Sequence, residues 1–284
     1  MLRLLCLILL FFSVCASARE YPSLWQSTDP VLQDKLEKLI EQRGLMQQVK
    51  DGNLALALVD ISDPYQPQQA SLNGDEMIYA ASLPKIAILL GAFVQIEAGV
   101  LKDDDALRSE LILMIRYSDN NAATRVLDLV GRDKLLDILQ SLRFKLYTMD
   151  HDGGLWVGKD YAVKGAYQRD PLHNLSHGAS VMQVARFYYL LDTNRLVNPE
   201  LTRQMKEILS KPAISHKFVK GLEDVPEAVL FRKSGTWKNY HADSALVVFG
   251  SNRYILVGLV NNKHGGRWLT ELALPLHKLI VDTP

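Results

Sequence analysis

Three short polar motifs occur in a fixed order along the chain, and together they contain the residue types of an acyl-transfer site. Ser82 and Lys85 form a Ser-x-x-Lys motif, residues 118–120 read Ser-Asp-Asn, and residues 233–235 read Lys-Ser-Gly. A chain of ordinary composition contains about one Ser-x-x-Lys by chance, but all three motifs in this order on the order of once in a thousand chains. The combination therefore predicts a serine nucleophile with lysine partners.

The first motif places its serine and lysine where a helix begins. Apolar residues recur at helical spacing directly after Lys85, at Ile86, Leu89, Leu90 and Phe93. This spacing predicts Ser82 at a helix N-terminus, with Lys85 one turn on and on the same face. A neutral Lys85 amine would take the proton of Ser82. That role needs a lowered pKa of Lys85, which either burial or a neighbouring positive charge would give, and Lys233 could supply the charge. The alternative interpretation of Ser82 is a helix cap.

The second motif lies on a turn between two predicted helices. One helix covers residues 107–117, and the next begins near Asn121. On this turn Ser118 would pass a proton to the leaving nitrogen, Asn120 would hold the side-chain amide of the substrate, and Asp119 would brace the turn. The alternative is an ordinary cap cluster, because Ser, Asp and Asn all favour that position.

The third motif ends a predicted strand, residues 228–234. Gly235 would leave the strand without a side chain where a substrate lies against it, so we expect Ser234, Gly235 and Thr236 to bind substrate. The backbone N–H groups of Ser82 and Thr236 would form an oxyanion hole. The alternative is a polar strand end before a turn. The predicted catalytic residues are thus Ser82, Lys85, Ser118 and Lys233.

The remaining elements predict one sheet with helices on both faces. Two strands come early (residues 53–60 and 69–72), the pattern from 82 to 191 is mostly helical, and three strands come late (228–234, 242–249 and 254–260) before a last helix at 267–281. This order is typical of a mixed antiparallel sheet in an α+β protein.

Residues 53–260 resemble the catalytic domain of a class A β-lactamase, within the superfamily of penicillin-binding proteins and serine β-lactamases. Besides the motifs, the resemblance rests on ALALVD before Ser82, SDNNAATRVLDLVG around Ser118, and a strand hairpin after Gly235. It implies an α+β fold with a five-stranded antiparallel sheet flanked by helices and an all-helical lobe. It also implies a serine acyl-enzyme hydrolase that attacks the amide of β-lactams or of D-alanyl cell-wall peptides, with no metal and no cofactor.

One departure from the family concerns deacylation. Class A enzymes use a glutamate in a Glu-x-x-Leu-Asn segment, whereas no glutamate occurs here between Glu110 and Glu200. The corresponding stretch is a predicted long functional loop, residues 144–178. Its candidate replacement bases, which are alternatively turn formers, are Asp150, His151, Asp152 and Asp170. Acylation survives this loss, but fast hydrolysis of the acyl-enzyme does not.

Other departures leave further roles open. No arginine follows soon after Thr236, so the carboxylate of the substrate would be bound by Lys238, His241 or Arg253. His173 and His177 have the spacing of half a metal site, although such a pair is more often a solvated helix start. Tyr161 is expected to be a core or loop anchor.

Residues 1–18 predict a signal peptide, with basic Arg3, an apolar run and Ala-Ser-Ala before Arg19. Lipid attachment at Cys15 is disfavoured because Val14 precedes it. Both cysteines, Cys6 and Cys15, fall in this segment, so residues 19–284 would form a disulfide-free catalytic domain that is exported, periplasmic or secreted.

The charge balance bears on partners. Lys plus Arg equals Asp plus Glu at 32 each, which gives no indication of nucleic acid or of an anionic membrane surface. A monomer that binds a small-molecule β-lactam or a peptidoglycan peptide is expected, with no membrane contact after signal cleavage. The alternative is a non-catalytic peptidoglycan-binding module on the same fold, but binding alone would not need Ser82, Lys85, Ser118 and Lys233 together.

Overall fold

The computed structural model describes residues 20–282, so the predicted signal peptide lies outside the described residues. The helices are α1 (Pro30–Gln42), α2 (Met46–Lys50), α3 (Lys85–Glu97), α4 (Asp105–Arg116), α5 (Asn120–Val130), α6 (Arg132–Gln140), α7 (Val181–Asp192), α8 (Pro199–Leu209), α9 (Phe218–Gly221) and α10 (Gly265–Val281). The strands are β1 (Leu54–Asp60), β2 (Gln68–Leu72), β3 (Ile78–Tyr79), β4 (Tyr147–Thr148), β5 (Gly153–Gly154), β6 (Trp156–Val157), β7 (His177–Ala179), β8 (Val229–Trp237), β9 (Tyr240–Phe249) and β10 (Asn252–Asn261).

The main sheet has five strands in the order β2-β1-β10-β9-β8, and every neighbouring pair is antiparallel. Together with the helices, this sheet confirms the predicted α+β fold. Strand β8 forms one edge because it pairs only with β9. An edge strand leaves one row of backbone N–H and C=O groups unpaired. The Lys-Ser-Gly motif therefore lies on a strand whose outer edge is available to other groups.

Strand β1 shows why the sheet is covered on both faces. Its side chains alternate, as the two-residue period of a strand requires. Leu54, Leu56 and Leu58 belong to the core shared with α1 and α10, whereas Ala55, Ala57 and Val59 belong to the larger core on the opposite face, which α7 covers. The small side chains on that second face let α7 approach the sheet closely.

Helix α3 is the central element of the helical lobe and packs against α4, α5, α6 and α8. Nearly all of its residues are buried, so its apolar character extends around the whole helix rather than along one stripe. Gly91 lies where an added Cβ would be 2.8 Å from Val130 Cγ1, which lets α3 and the end of α5 pack closely. In residues 20–282, no helix has both the length and the apolar character needed to cross a bilayer.

The segment predicted as a long loop contains short strands. Residues 147–179 contribute the strands β4 to β7 to two small sheets, β3-β7-β6 and β4-β5. These strands are only two or three residues long, too short for an alternating pattern to appear in the sequence. The strand β7 joins this segment to Tyr79, close to the first motif, because Tyr79 pairs with Gly178.

Candidate active site

Ser82 lies in a tight turn between β3 and α3. The sequence places it at the helix N-terminus, but the helix begins three residues later, at Lys85. Lys85 N and Ile86 N donate to the carbonyl oxygens three residues back, which makes the connection a tight turn rather than α-helix. Ala81 has a φ of 50°, a left-handed conformation that is uncommon for a residue with a side chain. The half-buried Ser82 lines a cavity of about 100 Å³.

Lys85 is the first residue of α3 and is fully buried. Its Nζ lies 2.6 Å from the Ser118 carbonyl oxygen, 3.2 Å from that of Asp119 and 2.8 Å from Asn120 Oδ1. Burial lowers the pKa of Lys85 to about 7, against the opposing charge of Asp119. Of the two causes expected for a lowered pKa, burial is thus the dominant one. A lysine with this pKa is present partly as the neutral amine at physiological pH.

Ser118 lies between the two lysines of the motifs. Its Oγ accepts a hydrogen bond from Lys233 Nζ at 2.9 Å, while its carbonyl oxygen accepts from Lys85. The residue has a φ of 59°, and this left-handed turn between α4 and α5 brings both of its oxygens to lysines. Burial and the charge of Lys85 hold the pKa of Lys233 well below its ordinary value. Because both lysines are buried and contact the same residue, Ser118, loss of a proton from one of the two ammonium groups is favoured.

Asp119 caps α5, because its Oδ1 accepts a hydrogen bond from Ala122 N at 2.6 Å. This bond fixes the turn on which Ser118 and Asn120 lie. Asn120 is exposed and lines the same cavity as Ser82, with its Oδ1 turned toward Lys85. The turn thus presents the Asn120 amide to the cavity and the Ser118 hydroxyl to Lys233.

Gly235 brings strand β8 against the Ser82 turn. A Cβ at this position would lie 2.2 Å from the Ala80 carbonyl oxygen and 2.7 Å from Ser82 N, closer than any side chain tolerates. The glycine therefore lets the edge strand approach the backbone of Ser82. Thr236 follows and lines the cavity with Ser82, whereas Ser234 is buried and its carbonyl oxygen accepts from Lys233 Nζ at 2.7 Å.

A third buried lysine, Lys217, was not predicted from the sequence and binds strand β8 through hydrogen bonds. Lys217 Nζ donates to Gly235 O at 2.6 Å, to Thr236 Oγ1 at 2.8 Å and to Ala242 O at 3.0 Å. Burial lowers the pKa of Lys217 to about 8. No motif surrounds this lysine in the sequence, so only the fold shows that it is in contact with the Lys-Ser-Gly strand.

The residues expected to share carboxylate binding lie elsewhere. Arg253 donates to Asp192, and the Lys238 ammonium lies 5.9 Å from the centroid of the Trp237 ring. His241 is opposite Thr236 on β9, and its ring lies against the start of α10 near Gly265. None of the three lines the cavity at Ser82.

Tyr161 and His177 form the wall of the cavity. Their rings stack with centroids 4.2 Å apart and an interplanar angle of 4°. Lys85 Nζ lies 4.6 Å from the centroid of the Tyr161 ring, and the Tyr161 hydroxyl donates to the Ala81 carbonyl oxygen at 3.3 Å. Burial, together with the charges of Lys159 and Lys85, lowers the pKa of His177 to about 3, so this imidazole is neutral. Tyr161 is thus part of the site, beyond the anchoring role that the sequence predicts.

The candidate replacement bases do not line this cavity. Asp170 is buried and accepts hydrogen bonds from the Tyr147 hydroxyl at 2.7 Å and from Leu175 N at 3.0 Å, which makes it a brace of its own loop. Asp152 lies 3.0 Å from His173 Nε2, and Asp150 is exposed. His151, the fourth candidate, stacks on Trp25.

The two histidines with the spacing of half a metal site, His173 and His177, each contact a different residue. His173 pairs with Asp152, and His177 stacks on Tyr161. Within residues 20–282, no group of three or more His, Cys, Asp or Glu residues is placed to hold a metal ion.

Comparison with known proteins identifies the family. Residues 106–278, more than half of the chain, match the sequence model described as the β-lactamase enzyme family. The chain belongs to this family. It is accordingly a serine hydrolase of the β-lactamase type, similar to class A enzymes, that acts on amide bonds. A search of curated protein sequences found no match.

Solved structures of this family share the fold at low identity. A β-lactamase from Sphaerobacter thermophilus is 17% identical, with a TM-score of 0.65 over 81% of this chain and 92% of its own. PBP-A is 17% identical, with a TM-score of 0.64 over 88% of this chain and 97% of its own, and a PBP-A mutant was solved as an acyl-enzyme complex with penicillin G. A class A β-lactamase from Bacteroides cellulosilyticus is 13% identical, with a TM-score of 0.64 over 88% and 97%.

The approach of β8 to Ser82 yields a first prediction. Gly235→Ala should slow penicillin labelling of the protein at least about tenfold, because the added methyl group must push the strand away from the Ser82 turn. Second-order labelling rates from intact-mass spectrometry, with melting temperatures recorded in parallel, would measure the effect. Gly250→Ala is the control for general destabilisation, since Gly250 lies in the β9–β10 turn with open space around it but with a φ of 57° that strains an alanine. Equal labelling rates for the wild type and Gly235→Ala would contradict the prediction.

Proposed function

We propose that the chain is an exported serine hydrolase that forms a covalent acyl-enzyme through Ser82. Its natural substrates would be cell-wall peptides that end in D-alanine, with β-lactams as acylating analogues of the same chemistry. The observation that carries this proposal is the position of Ser118 between the buried Lys85 and Lys233, beside the cavity that holds Ser82. A binding module would need no such proton-transfer set.

Acylation begins with loss of the Ser82 proton to the neutral amine of Lys85. Among residues 20–282 the Ser82 hydroxyl makes no hydrogen bond, while Lys85 Nζ donates to three oxygens. A neutral amine has only two N–H groups, so deprotonation frees one position on Nζ to accept from Ser82. Catalytic hydrogen bonds often tighten only once substrate is bound.

The attacking Ser82 oxygen forms a bond to the amide carbonyl carbon. The negative charge that develops on the carbonyl oxygen is stabilised by the backbone N–H groups of Ser82 and Thr236, which both belong to the cavity. The close approach at Gly235 brings the free edge of β8 beside the Ser82 backbone, which supports this role. Asn120 would bind the amide of the acyl side chain from the opposite side of the cavity.

Collapse of the intermediate breaks the C–N bond and needs a proton on the leaving nitrogen. Ser118 Oγ gives this proton and recovers one from Lys85, so that the proton removed from Ser82 ends on the amine product. Lys233 holds Ser118 Oγ in place through its hydrogen bond at 2.9 Å.

Labelling with penicillin tests the proposed function. The protein beginning at residue 19 should gain the mass of one penicillin G, and peptide mapping should place it on Ser82. Ser82→Ala should gain none, while Ser109→Ala, a change at an exposed serine of α4, should label like the wild type. An unlabelled wild type at millimolar penicillin, or a label on another residue, would refute the assignment and favour a non-catalytic peptidoglycan-binding module.

A further inference from the structure

The cavity at Ser82 lies beside a second space in the protein. This side chamber, of about 260 Å³, is lined by Tyr79, Lys159, Arg169, Leu175, Ser176, Trp237 and Tyr240. Tyr79, Lys159 and Trp237 also line the cavity that contains Ser82, so the two spaces adjoin. A substrate bound at Ser82 would need to extend past only these three side chains to reach the side chamber.

The side chamber lies on the acyl side of the reacting amide. Ser118 and Lys233, the groups that face the leaving nitrogen, line neither space. Of the three shared residues, Trp237 lies beyond Thr236 on β8, Lys159 lies on the segment that carries Tyr161, and Tyr79 lies on β3. A group in the side chamber is thus part of the acyl donor and stays on the enzyme after the amine has left.

The charge of the side chamber is positive. Neither an Asp nor a Glu lines it or the cavity at Ser82. Among residues 20–282, Lys159 and Arg169 have no carboxylate within 4.0 Å, and Arg169 makes a single hydrogen bond, from Nη1 to the Asn174 carbonyl oxygen at 2.9 Å. The acidic neighbour of Lys159, Asp160, is instead bound bidentately by Arg132 at 2.9 and 2.8 Å. Two cations therefore line the chamber with donors free for an anion.

The walls around these cations are aromatic. Tyr79 and Tyr240 meet edge to face with centroids 5.1 Å apart, and the Trp237 ring is 56% exposed. Flat aromatic surfaces accept an extended apolar chain, whereas a guanidinium and an ammonium bind a carboxylate. The chamber consequently combines a surface for an apolar stem with charges for an anionic end.

We propose that the side chamber binds a carboxylate at the end of the acyl side chain of the substrate, through Lys159 and Arg169. The inference rests on the proposed acylation of Ser82 and adds the substrate class: acyl donors with an apolar stem and a terminal carboxylate. Arg169 is suited to bidentate contact, and Lys159, which lines both spaces, guides the chain from one to the other.

Two penicillins that differ only at one end of the side chain test this proposal. One is 6-aminopenicillanic acid acylated by adipic acid, so its side chain ends in a free carboxylate. The other has a carboxamide in place of that terminal carboxylate. The wild type should be acylated by the carboxylate compound about tenfold faster, as one charge-assisted contact implies, and the preference should shrink in high salt.

The preference should depend on the two cations. In the double variant Lys159→Gln with Arg169→Gln the ratio of the two acylation rates should fall to within about twofold of one. Lys164→Gln is the matched control, because Lys164 is exposed on the same segment and lines neither space, and it should keep the full ratio.

The outcomes separate this inference from the proposed function. Equal rates for the two compounds in a wild type that penicillin G labels at Ser82, or an undiminished preference in the double variant, would overturn the carboxylate site alone. Absence of any label on Ser82 from all three penicillins would overturn the proposed function and the carboxylate site with it.

Discussion

The acyl-enzyme formed from penicillin should persist for minutes or longer after free penicillin is removed, and hydrolysis should show a burst near one equivalent. Hydrolysis needs a base beside the ester to activate water, and the residues that line the cavity include no carboxylate. The ring of Tyr161 forms the cavity wall near Lys85. Burial holds the pKa of its phenol well above the ordinary value, so the phenol stays protonated and does not act as the base. A general base contributes about 10² to 10⁴-fold, and its absence should slow deacylation by that order.

Intact-mass spectrometry over time, after rapid removal of penicillin, measures the persistence. Asp150→Asn and Asp152→Asn should leave the lifetime of the acyl-enzyme unchanged, because neither carboxylate lines the cavity. Turnover of many penicillin molecules per second would show the prediction to be wrong and would require a base on the Tyr161 segment. Freezing of the acyl-enzyme by either substitution would identify that base.

The second large effect is expected in acylation. Lys85→Ala and Lys233→Ala should each lower the acylation rate about 10² to 10⁴-fold, because one lysine takes the Ser82 proton and the other holds Ser118 Oγ. Residues that act as a unit lose nearly the whole effect when one is removed. Removal of a fully buried lysine leaves a cavity, so circular dichroism and melting curves should show that both variants are folded. Lys134→Ala, an exposed position on α6, is the matched control.

The pH dependence gives Lys85 a separate signature. Burial lowers its pKa to about 7, and only the neutral amine acts as a base. The acylation rate of the wild type should therefore rise with pH through about 7 and level off above it. One pH unit below the pKa, roughly a tenth of the amine is neutral, so the rate at pH 6 should be about a tenth of the plateau. A rate independent of pH between 6 and 8, or wild-type acylation by Lys85→Ala, would contradict the base assignment.

Much of the fold is predictable from local pattern. The strand β1 and the late strands are apolar runs bounded by turn residues, and the three motifs mark the turns and the strand end on which they lie. These features depend on backbone periods of two and 3.6 residues, which a short window of sequence contains. The start of α3 was misplaced by three residues because the tight turn at Ser82 has the same spacing as a helix turn over so short a length.

The amino-acid sequence was enough to indicate a candidate nucleophile, its three polar partners and the class of chemistry, because those residue types recur in fixed short motifs. The surroundings of these residues became visible only in the tertiary structure. Lys217, Tyr161 and Lys159 come to the site from segments far along the chain and carry no local pattern, since a contact across many residues depends on packing rather than on spacing. For the same reason Arg253, a candidate for substrate binding by its charge, instead forms an ion pair with Asp192. The source of the low pKa of Lys85 is likewise a property of the fold, because burial exists only once α3 is enclosed by its neighbours.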